Sequence, residues 1–248
     1  MKLTGNTIFI PGATSGIGLG LALRLADAGN MVIVAGRRSE KLADIAAEHP
    51  GIQAVRLDVS DPDDISRVAA DVQQRFPDTN VLITMAGIME AEDLHTADFL
   101  ATAERAVTTN LLGTLRLVGA FTEFLQSKPD ATIVTVSSGL AFVPLVPTAT
   151  YSATKAAIHS FTESLRFQLA DTSVGVLELV PPAVQTDLMP GQAEADWAMP
   201  LTDFLDEVVR LLPDATDEIL VERVGFLRHA EARGTYSDTL VQLASTVH

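Results

Sequence analysis

Apolar and polar positions divide the chain into short apolar runs and longer segments with helical spacing. Six short runs are nearly continuous in β-branched and other apolar residues, which is typical of strands buried on both faces of a parallel sheet. They are 7–10, 31–34, 52–57, 81–83, 132–136 and 174–180. The intervening pattern predicts helices over 17–28, 39–48, 62–75, 98–127 and 151–170. Regular alternation of strand and helix predicts a doubly wound α/β fold, with helices on both faces of six parallel strands and a seventh strand left open.

The pattern changes after the sixth run. It is interrupted around Pro190-Gly191-Gln192 and resumes at 201–212, as expected for a lid or an insertion. The tail after Thr216 has helical spacing over 217–232, and we predict no strand there. A length of 248 residues with 47% hydrophobic content fits one large core. We therefore expect a single domain over 1–248, in which the segment at about 189–213 forms a lid that covers a substrate.

A glycine-rich turn joins the first predicted strand to the first predicted helix. It runs from Gly12 to Gly18 and has glycine at 12, 16 and 18. Glycines let the backbone approach a pyrophosphate closely, and the helix N-terminus supplies free N–H groups. Such turns also end strands for purely structural reasons. Its place between strand and helix favours a Rossmann-like dinucleotide site.

The residues after the second strand bear on which dinucleotide is bound. Folds that prefer the unphosphorylated cofactor carry an acid about 20 residues beyond the turn. Twenty residues past Gly16 is Gly36, followed by Arg37 and Arg38. Two guanidinium groups can bind a 2′-phosphate, so the sequence favours NADP(H). The plainer alternative is that both arginines are solvated on a loop.

Tyr151 and Lys155 are four residues apart, and Ser138 lies thirteen residues before Tyr151. On a helix this spacing places the phenol and the ammonium on one face, where the cation favours the phenolate. Tyr151 is therefore a candidate proton donor in hydride transfer. Taken singly, the serine could end a strand and the tyrosine could be an interface aromatic.

Composition narrows the classes of partner. A formal net charge of −15 disfavours nucleic acid and anionic membranes, and the absence of cysteine removes disulfides and thiolate sites. No apolar stretch is long enough for a signal peptide or a transmembrane helix, so we expect a cytoplasmic protein. The histidines show no ligand spacing with acids, so we expect no metal site and surface or satisfied roles. They are His49, His95, His159, His229 and His248.

With the glycine turn, Ser138, Tyr151 and Lys155 in this order, the chain resembles the short-chain dehydrogenase/reductase family from about residue 5 to residue 190. The resemblance implies that Ser138 hydrogen bonds the substrate carbonyl and that Tyr151 protonates it. Lys155 would bind the nicotinamide ribose and lower the pKa of the tyrosine. Asn110 would anchor a water in the proton relay and complete the catalytic set.

The resemblance also implies contacts along the whole cofactor. Asp58 would hold the adenine amino group, Ala86 and Gly87 would lie against the adenosine ribose, and Val184 and Thr186 would contact the carboxamide. The full expected set is Gly12, Thr14, Ser15, Gly16, Ile17, Gly18, Arg37, Arg38, Asp58, Val59, Ala86, Gly87, Tyr151, Lys155, Pro181, Val184 and Thr186.

Four residues, at three places in the chain, depart from the family pattern. Pro11 replaces the usual threonine before the first glycine and lacks a backbone donor. Thr84-Met85 replaces the usual Asn-Asn, and Pro182 replaces the usual glycine. These changes bear on hydrogen bonds across the sheet and on backbone flexibility, and leave the four chemical residues in place.

These observations predict an NADPH-dependent reductase that converts an apolar or aromatic ketone into an alcohol. The substrate pocket is expected to include Leu140, Phe142, Leu145, Met189 and Trp197. Two alternatives stay open. One is an NAD(P)-dependent alcohol or sugar dehydrogenase acting mainly in oxidation, and the other is a non-catalytic NADP-binding sensor. Long apolar faces on the helices 98–127 and 151–170 predict a homodimer.

Overall fold

The chain folds around a parallel sheet, in a computed structural model that describes residues 1–245. Within that range the sheet has seven strands, in the order β3-β2-β1-β4-β5-β6-β7. The strands are β1 (Thr7–Pro11), β2 (Met31–Gly36), β3 (Ile52–Arg56), β4 (Thr79–Thr84), β5 (Ala131–Val136), β6 (Val174–Val180) and β7 (Glu218–Leu220). The helices are α1 (Gly16–Asp27), α2 (Ser39–Glu48), α3 (Pro62–Arg75), α4 (Phe99–Ala106), α5 (Gly113–Gln126), α6 (Ala149–Gln168), α7 (Leu201–Leu211), α8 (Gly225–Arg228) and α9 (Tyr236–Ser245). The doubly wound, Rossmann-like α/β prediction is confirmed.

Two apolar cores cover the two faces of the sheet. One contains buried side chains of α1, α2 and α7, and the other contains those of α3 and α5. Every residue of β5 is buried, which explains why its sequence shows a continuous apolar run and no alternation. Burial on both faces therefore accounts for the sequence pattern of a central strand such as β5, whereas β3 at the edge of the sheet is partly exposed.

The strand order places a crevice at the carboxyl ends of β1 and β4. The chain leaves β1 toward β2 and β3 on one side, and continues from β4 toward β5 and β6 on the other. The loops after β1 and β4 therefore diverge, and ligands of open α/β sheets bind in the gap between them. The glycine turn and the segment after Thr84 both lie at this point.

The tail differs from its prediction. Residues 217–232 were expected to form one helix without a strand, but Glu218–Leu220 forms β7, which pairs in parallel with β6. A 3₁₀ turn and the four-residue α8 follow. A three-residue edge strand is too short to show a period in the sequence, and its pairing with β6 overrides the local helical spacing.

The predicted helix at 98–127 contains an irregular turn. Between α4 and α5, the segment Val107–Leu112 is π-helical, and it contains Asn110. Single π-helical turns are frequent at functional sites. At residues 1–245, no helix has both the length and the apolar character needed to cross a bilayer.

Candidate active site

The turn after β1 is built for close backbone approach. Gly12 has φ 92° and Gly16 has φ 55°, a region that other residues rarely adopt. A Cβ at Gly12 would lie 2.4 Å from the amide nitrogen of Ala86, so the β1 and β4 loops come together only with glycine here. The side chain of Ser15 does not cap α1, so the first N–H groups of that helix face the crevice. The turn can therefore receive an anionic group.

Arg38 reaches across this turn from the end of β2. Its Nη2 donates to Ser15 Oγ at 2.7 Å, and its Nε donates to Thr14 Oγ1 at 3.0 Å. Arg37 lines the same cleft and lies close enough to Asp58 to act on its charge. Two guanidinium groups therefore line the cleft that contains the glycine turn, in a protein whose net charge is −15.

Asp58 lines the same cleft near Arg37. Burial raises the pKa of its carboxyl, but hydrogen bonds from the Ser60 hydroxyl and amide, together with Arg37 and Arg56, lower it more. The net pKa lies below its usual value, so Asp58 is ionised near neutral pH. It can therefore accept a hydrogen bond from an amino group.

Ser138, Tyr151 and Lys155 line one cleft of about 540 Å³, which also contains the glycine turn. All three are buried. The Nζ atom of Lys155 lies 5.5 Å from the centre of the Tyr151 ring, as their shared helix face predicts, and donates to the carbonyl oxygen of Val136 at 2.8 Å. A hydroxyl, a phenol and an ammonium therefore lie together in the cleft that also contains the glycine turn.

Burial controls the acidity of Tyr151 and Lys155. It raises the pKa of the Tyr151 phenol to about 12, although the hydrogen bond with Ser138 opposes the change. Burial lowers the pKa of Lys155 to about 8, and the charge of Glu178 opposes that change. The sequence predicted a lowered tyrosine pKa, but burial of the phenol raises it here. The phenol is thus protonated near neutral pH, as a proton donor must be.

Asn110 is fully buried behind the cleft wall. Its Nδ2 donates to the Ile88 carbonyl at 2.9 Å, and its Oδ1 accepts from the Ile88 amide at 2.8 Å. A Cβ at Gly87 would lie 3.5 Å from Asn110 Oδ1 and 3.9 Å from Lys155 Nζ. Asn110 therefore stands near Lys155 while it fixes the loop after β4.

The expected cofactor residues all line the cleft, including Val59, Ala86, Gly87 and Pro181. Val184 and Thr186 are held by Gln192, whose Nε2 donates to the Val184 carbonyl at 2.7 Å and to Thr186 Oγ1 at 3.5 Å. With the open turn, the arginines and the ionised Asp58, these residues fit a dinucleotide.

The five residues expected to form the substrate pocket do not line the cleft. They are Leu140, Phe142, Leu145, Met189 and Trp197. Phe142 packs instead between His159 and Arg228, and the Trp197 side chain is 63% exposed. Met89, Leu188 and Gln192 line the cleft in their place. The path of the loops decides which side chains face the cleft, and the sequence does not show that path.

The departures from the family pattern have local consequences. Pro11 lacks a donor, but its carbonyl accepts from the Met85 amide at 3.1 Å, which joins β1 to the loop after β4. Thr84 has a buried hydroxyl without a partner among the described residues, as does Ser137 in the cleft wall. The sheet connection at Pro11 thus survives through its acceptor.

A second polar cluster lies beside the catalytic helix, and sequence spacing missed it. Ligand atoms of His159, Glu178 and Glu218 lie within 4.8 Å of one another. The three residues come from α6, β6 and β7, so only the fold brings them together. Arg228 Nε donates to both carboxylate oxygens of Glu218 at 2.9 and 3.0 Å, so a guanidinium already supplies the cation. His248, also considered in the sequence, lies outside the described residues.

Comparison with known proteins agrees with this geometry. A sequence profile described as short chain dehydrogenase matches residues 6–197. The chain is 36% identical over 249 residues to an uncharacterized oxidoreductase, DltE, of Bacillus subtilis, covering 98% of each chain. It is 30% identical over 246 residues to an NADP-dependent 3-hydroxy acid dehydrogenase of Schizosaccharomyces pombe, covering 97% of this chain and 93% of that one.

A solved structure shares the whole architecture. It is a short chain dehydrogenase from Burkholderia cenocepacia in complex with NADP, with a TM-score of 0.85 and 27% sequence identity. The match covers 97% of this chain and 99% of that one.

Proposed function

The chain belongs to the short-chain dehydrogenase family of NAD(P)-dependent oxidoreductases, and on that premise we propose that it uses NADPH to reduce an apolar or aromatic ketone to an alcohol. The observation that carries the proposal is the protonated Tyr151 phenol, buried with Ser138 and Lys155 in the cleft that holds the phosphate turn. A bound nicotinamide supplies the hydride.

The side chains of the cleft perform the remaining steps. Ser138 donates a hydrogen bond to the carbonyl oxygen and orients it. Tyr151 donates a second hydrogen bond and then transfers its proton to the developing alkoxide. Lys155 binds the ribose hydroxyls and stabilises the phenolate that remains, which offsets the cost of its burial. Asn110 holds the loop at Ile88 and completes the proton path to Lys155.

The preference for the phosphorylated cofactor rests on the arginines. Arg38 lies over Thr14 and Ser15, and Arg37 lies near Asp58, so both can meet a 2′-phosphate on the adenosine ribose. The yeast relative is named as NADP-dependent, and the Burkholderia structure contains NADP. Both names support the same choice here.

An uncharged substrate fits the cleft better than a carboxylate. The cationic residues that line it are Arg37 and Arg38 at the adenosine end and Lys155 beside Tyr151. Apolar side chains, Met89 and Leu188 among them, supply much of the remaining wall. The carboxylate of a hydroxy acid would need a further cation to bind it. We therefore propose that this chain and its yeast relative act on different substrates. Of the predicted lid segment 189–213, Gln192 lines this space, whereas α7 packs in one core of the sheet.

A homodimer completes the proposal. Phe167 on α6 is 84% exposed, and Leu112, next to α5, is also exposed. Large exposed apolar side chains on neighbouring helices favour an interface with a second copy.

The experiment is a panel of carbonyl compounds with NADPH consumption as the readout. Aryl and alkyl ketones should be reduced, whereas 3-oxo acids and sugars should react poorly. A parallel panel of alcohols with NADP⁺ tests the oxidative alternative. Binding of NADPH without turnover of any compound would contradict the proposal and favour the non-catalytic sensor.

A further inference from the structure

A buried carboxylate lies behind the catalytic helix. Glu178, inside β6, has no exposed surface. Its Oε2 pairs with Nδ1 of His159 at 2.8 Å, and its Oε1 is buried without a partner among the described residues. A charged group at this depth is costly unless nearby cations compensate for it.

Strand pairing and helix spacing bring this carboxylate close to Lys155. On β5, Val136 accepts the hydrogen bond from Lys155, and the preceding residue, Thr135, is the register partner of Glu178. On α6, His159 follows Lys155 by one turn and faces the same sheet. The ammonium of Lys155 therefore reaches β5 at Val136, and the imidazole of His159, one helical turn later, reaches β6 at Glu178. Glu178 is paired across the sheet with Thr135, the neighbour of Val136.

Other charged groups lie around the His159–Glu178 pair, but each has its own partner or is exposed to solvent. On α6, the Glu163 carboxylate lies 3.9 Å from His159 Nε2 and is 55% exposed. On β7 and α8, Glu218 and Arg228 bind each other, and Arg228 stacks over Phe142 at 4.6 Å. Further along α6, Arg166 pairs with Asp217 at the surface.

We propose that Glu178 and His159 are positioning residues for Lys155: the carboxylate keeps the buried ammonium protonated, and His159 holds the carboxylate in place. The proposal rests on the catalytic role of Lys155 in the proposed function. None of Asn110, Ser138 and Tyr151 carries a negative charge that could stabilise the Lys155 ammonium in this way. The hydrogen bond from Lys155 goes to a neutral carbonyl, which compensates a desolvated ammonium less well than a carboxylate does.

His159 has a defined share in this arrangement. Its hydrogen bond with Glu178 fixes one carboxylate oxygen, and that bond raises the pKa of the imidazole while burial and Arg228 lower it. Its ring also packs edge-on against Phe142, with centroids 4.7 Å apart. Phe142 follows Ser138 by four residues, so the same imidazole touches the loop that carries the second catalytic hydroxyl.

The direct test measures the protonation of Lys155 in the cofactor-free protein. The Nζ nitrogen is followed by NMR as the pH rises, with its signal assigned from Lys155→Arg. Glu178→Gln removes the charge and keeps the shape and the hydrogen bond to His159. We expect its Lys155 midpoint to fall by about one pH unit. Glu163→Gln, which removes a charge from the exposed side of the same imidazole, should leave the midpoint in place.

Binding supplies a second readout that needs no turnover. The pH at which NADPH affinity begins to fall should move down with the Lys155 midpoint in Glu178→Gln and stay in place in Glu163→Gln. An unchanged midpoint in Glu178→Gln, or equal shifts in both variants, overturns the inference. If no carbonyl is reduced, the proposed function fails, yet the NMR midpoints still decide this inference.

A double variant guards against misfolding. Apolar replacement of a buried ion pair is often neutral or stabilising, so His159→Leu with Glu178→Met is expected to fold even if Glu178→Gln does not. It should show the same lowered midpoint, because the carboxylate is gone in both. A wild-type midpoint in the folded double variant would show that the pair only braces α6 against β6.

Discussion

The side chain of Asn110 hydrogen bonds to both main-chain groups of Ile88. This contact joins the π-helical turn between α4 and α5 to the loop after β4. Asn110 thereby holds the cleft wall, because its amide pairs with the main chain of Ile88 as a neighbouring strand would. Gly87, next to Ile88, then lies flat against Asn110 and Lys155.

Asn110→Leu should therefore destabilise the fold. The change leaves the amide and carbonyl of Ile88 unpaired in a partly buried site, and each unpaired group costs about 1–3 kcal/mol when water does not reach it. We expect the free energy of unfolding in urea to fall by about 2–4 kcal/mol. Thr122→Val, which removes one local side-chain bond within α5, should cost less than about 1 kcal/mol. Equal costs would show that the Ile88 contacts contribute little.

Local chemistry made part of this site predictable. The glycine turn, the arginines after β2 and the Tyr151–Lys155 spacing depend on residues close in sequence, where backbone geometry fixes their relation. Asn110, Asp58 and Val184 could be placed only through family resemblance. Their spatial relation to Lys155 depends on strand order, which composition and spacing do not determine.

Long-range packing accounts for what the sequence did not show. Glu178 is a glutamate in an otherwise apolar run, and nothing near it in sequence indicates that His159, on a different element, pairs with it. The three-residue β7 exists because β6 offers it a free edge. Phe142 was expected in the substrate pocket, but Arg228, 86 residues later by number, stacks on it and turns it away.

Tyr151→Phe separates chemistry from binding. The variant loses the proton donor while keeping the ring in its buried place, so turnover should fall by about 10²–10⁴-fold. NADPH affinity, measured by titration, should change little. Tyr236→Phe is a matched control, because the other tyrosine of the chain is 37% exposed on α9. Turnover that survives in Tyr151→Phe would remove Tyr151 from the mechanism.

Arginine variants test the choice of cofactor. Hydrogen bonds to charged groups contribute about 1.5–3 kcal/mol, so Arg38→Gln should weaken NADPH about 10- to 100-fold. NADH, which lacks the 2′-phosphate, should bind with little change, and Arg37→Asp should shift preference toward it. Arg210→Gln on α7 serves as a control for loss of one surface charge. A parallel loss of NADH affinity in Arg38→Gln would instead assign Arg38 to holding Thr14 and Ser15 in place.

The pH dependence of activity and of stability should run in opposite directions. In the proposed mechanism Lys155 acts as a cation, and burial lowers its pKa to about 8. The kcat/KM for NADPH, which reports the free enzyme, should therefore fall as the pH rises through about 8. Tyr151, with a pKa of about 12, stays protonated over this range.

Stability responds to the same lysine with the other sign. Its folded pKa of about 8 lies below the ordinary value of 10.5, so the unfolded chain holds the proton more tightly and burial of the ammonium destabilises the fold at neutral pH. That cost, about 3 kcal/mol at ~1.36 kcal/mol per unit, disappears as the pH rises from 8 to 10.5. The unfolding free energy of wild type relative to Lys155→Met should increase across this window while kcat/KM decreases. If the difference between the two proteins stays constant with pH, Lys155 does not titrate there, and the alkaline loss of activity belongs to another group.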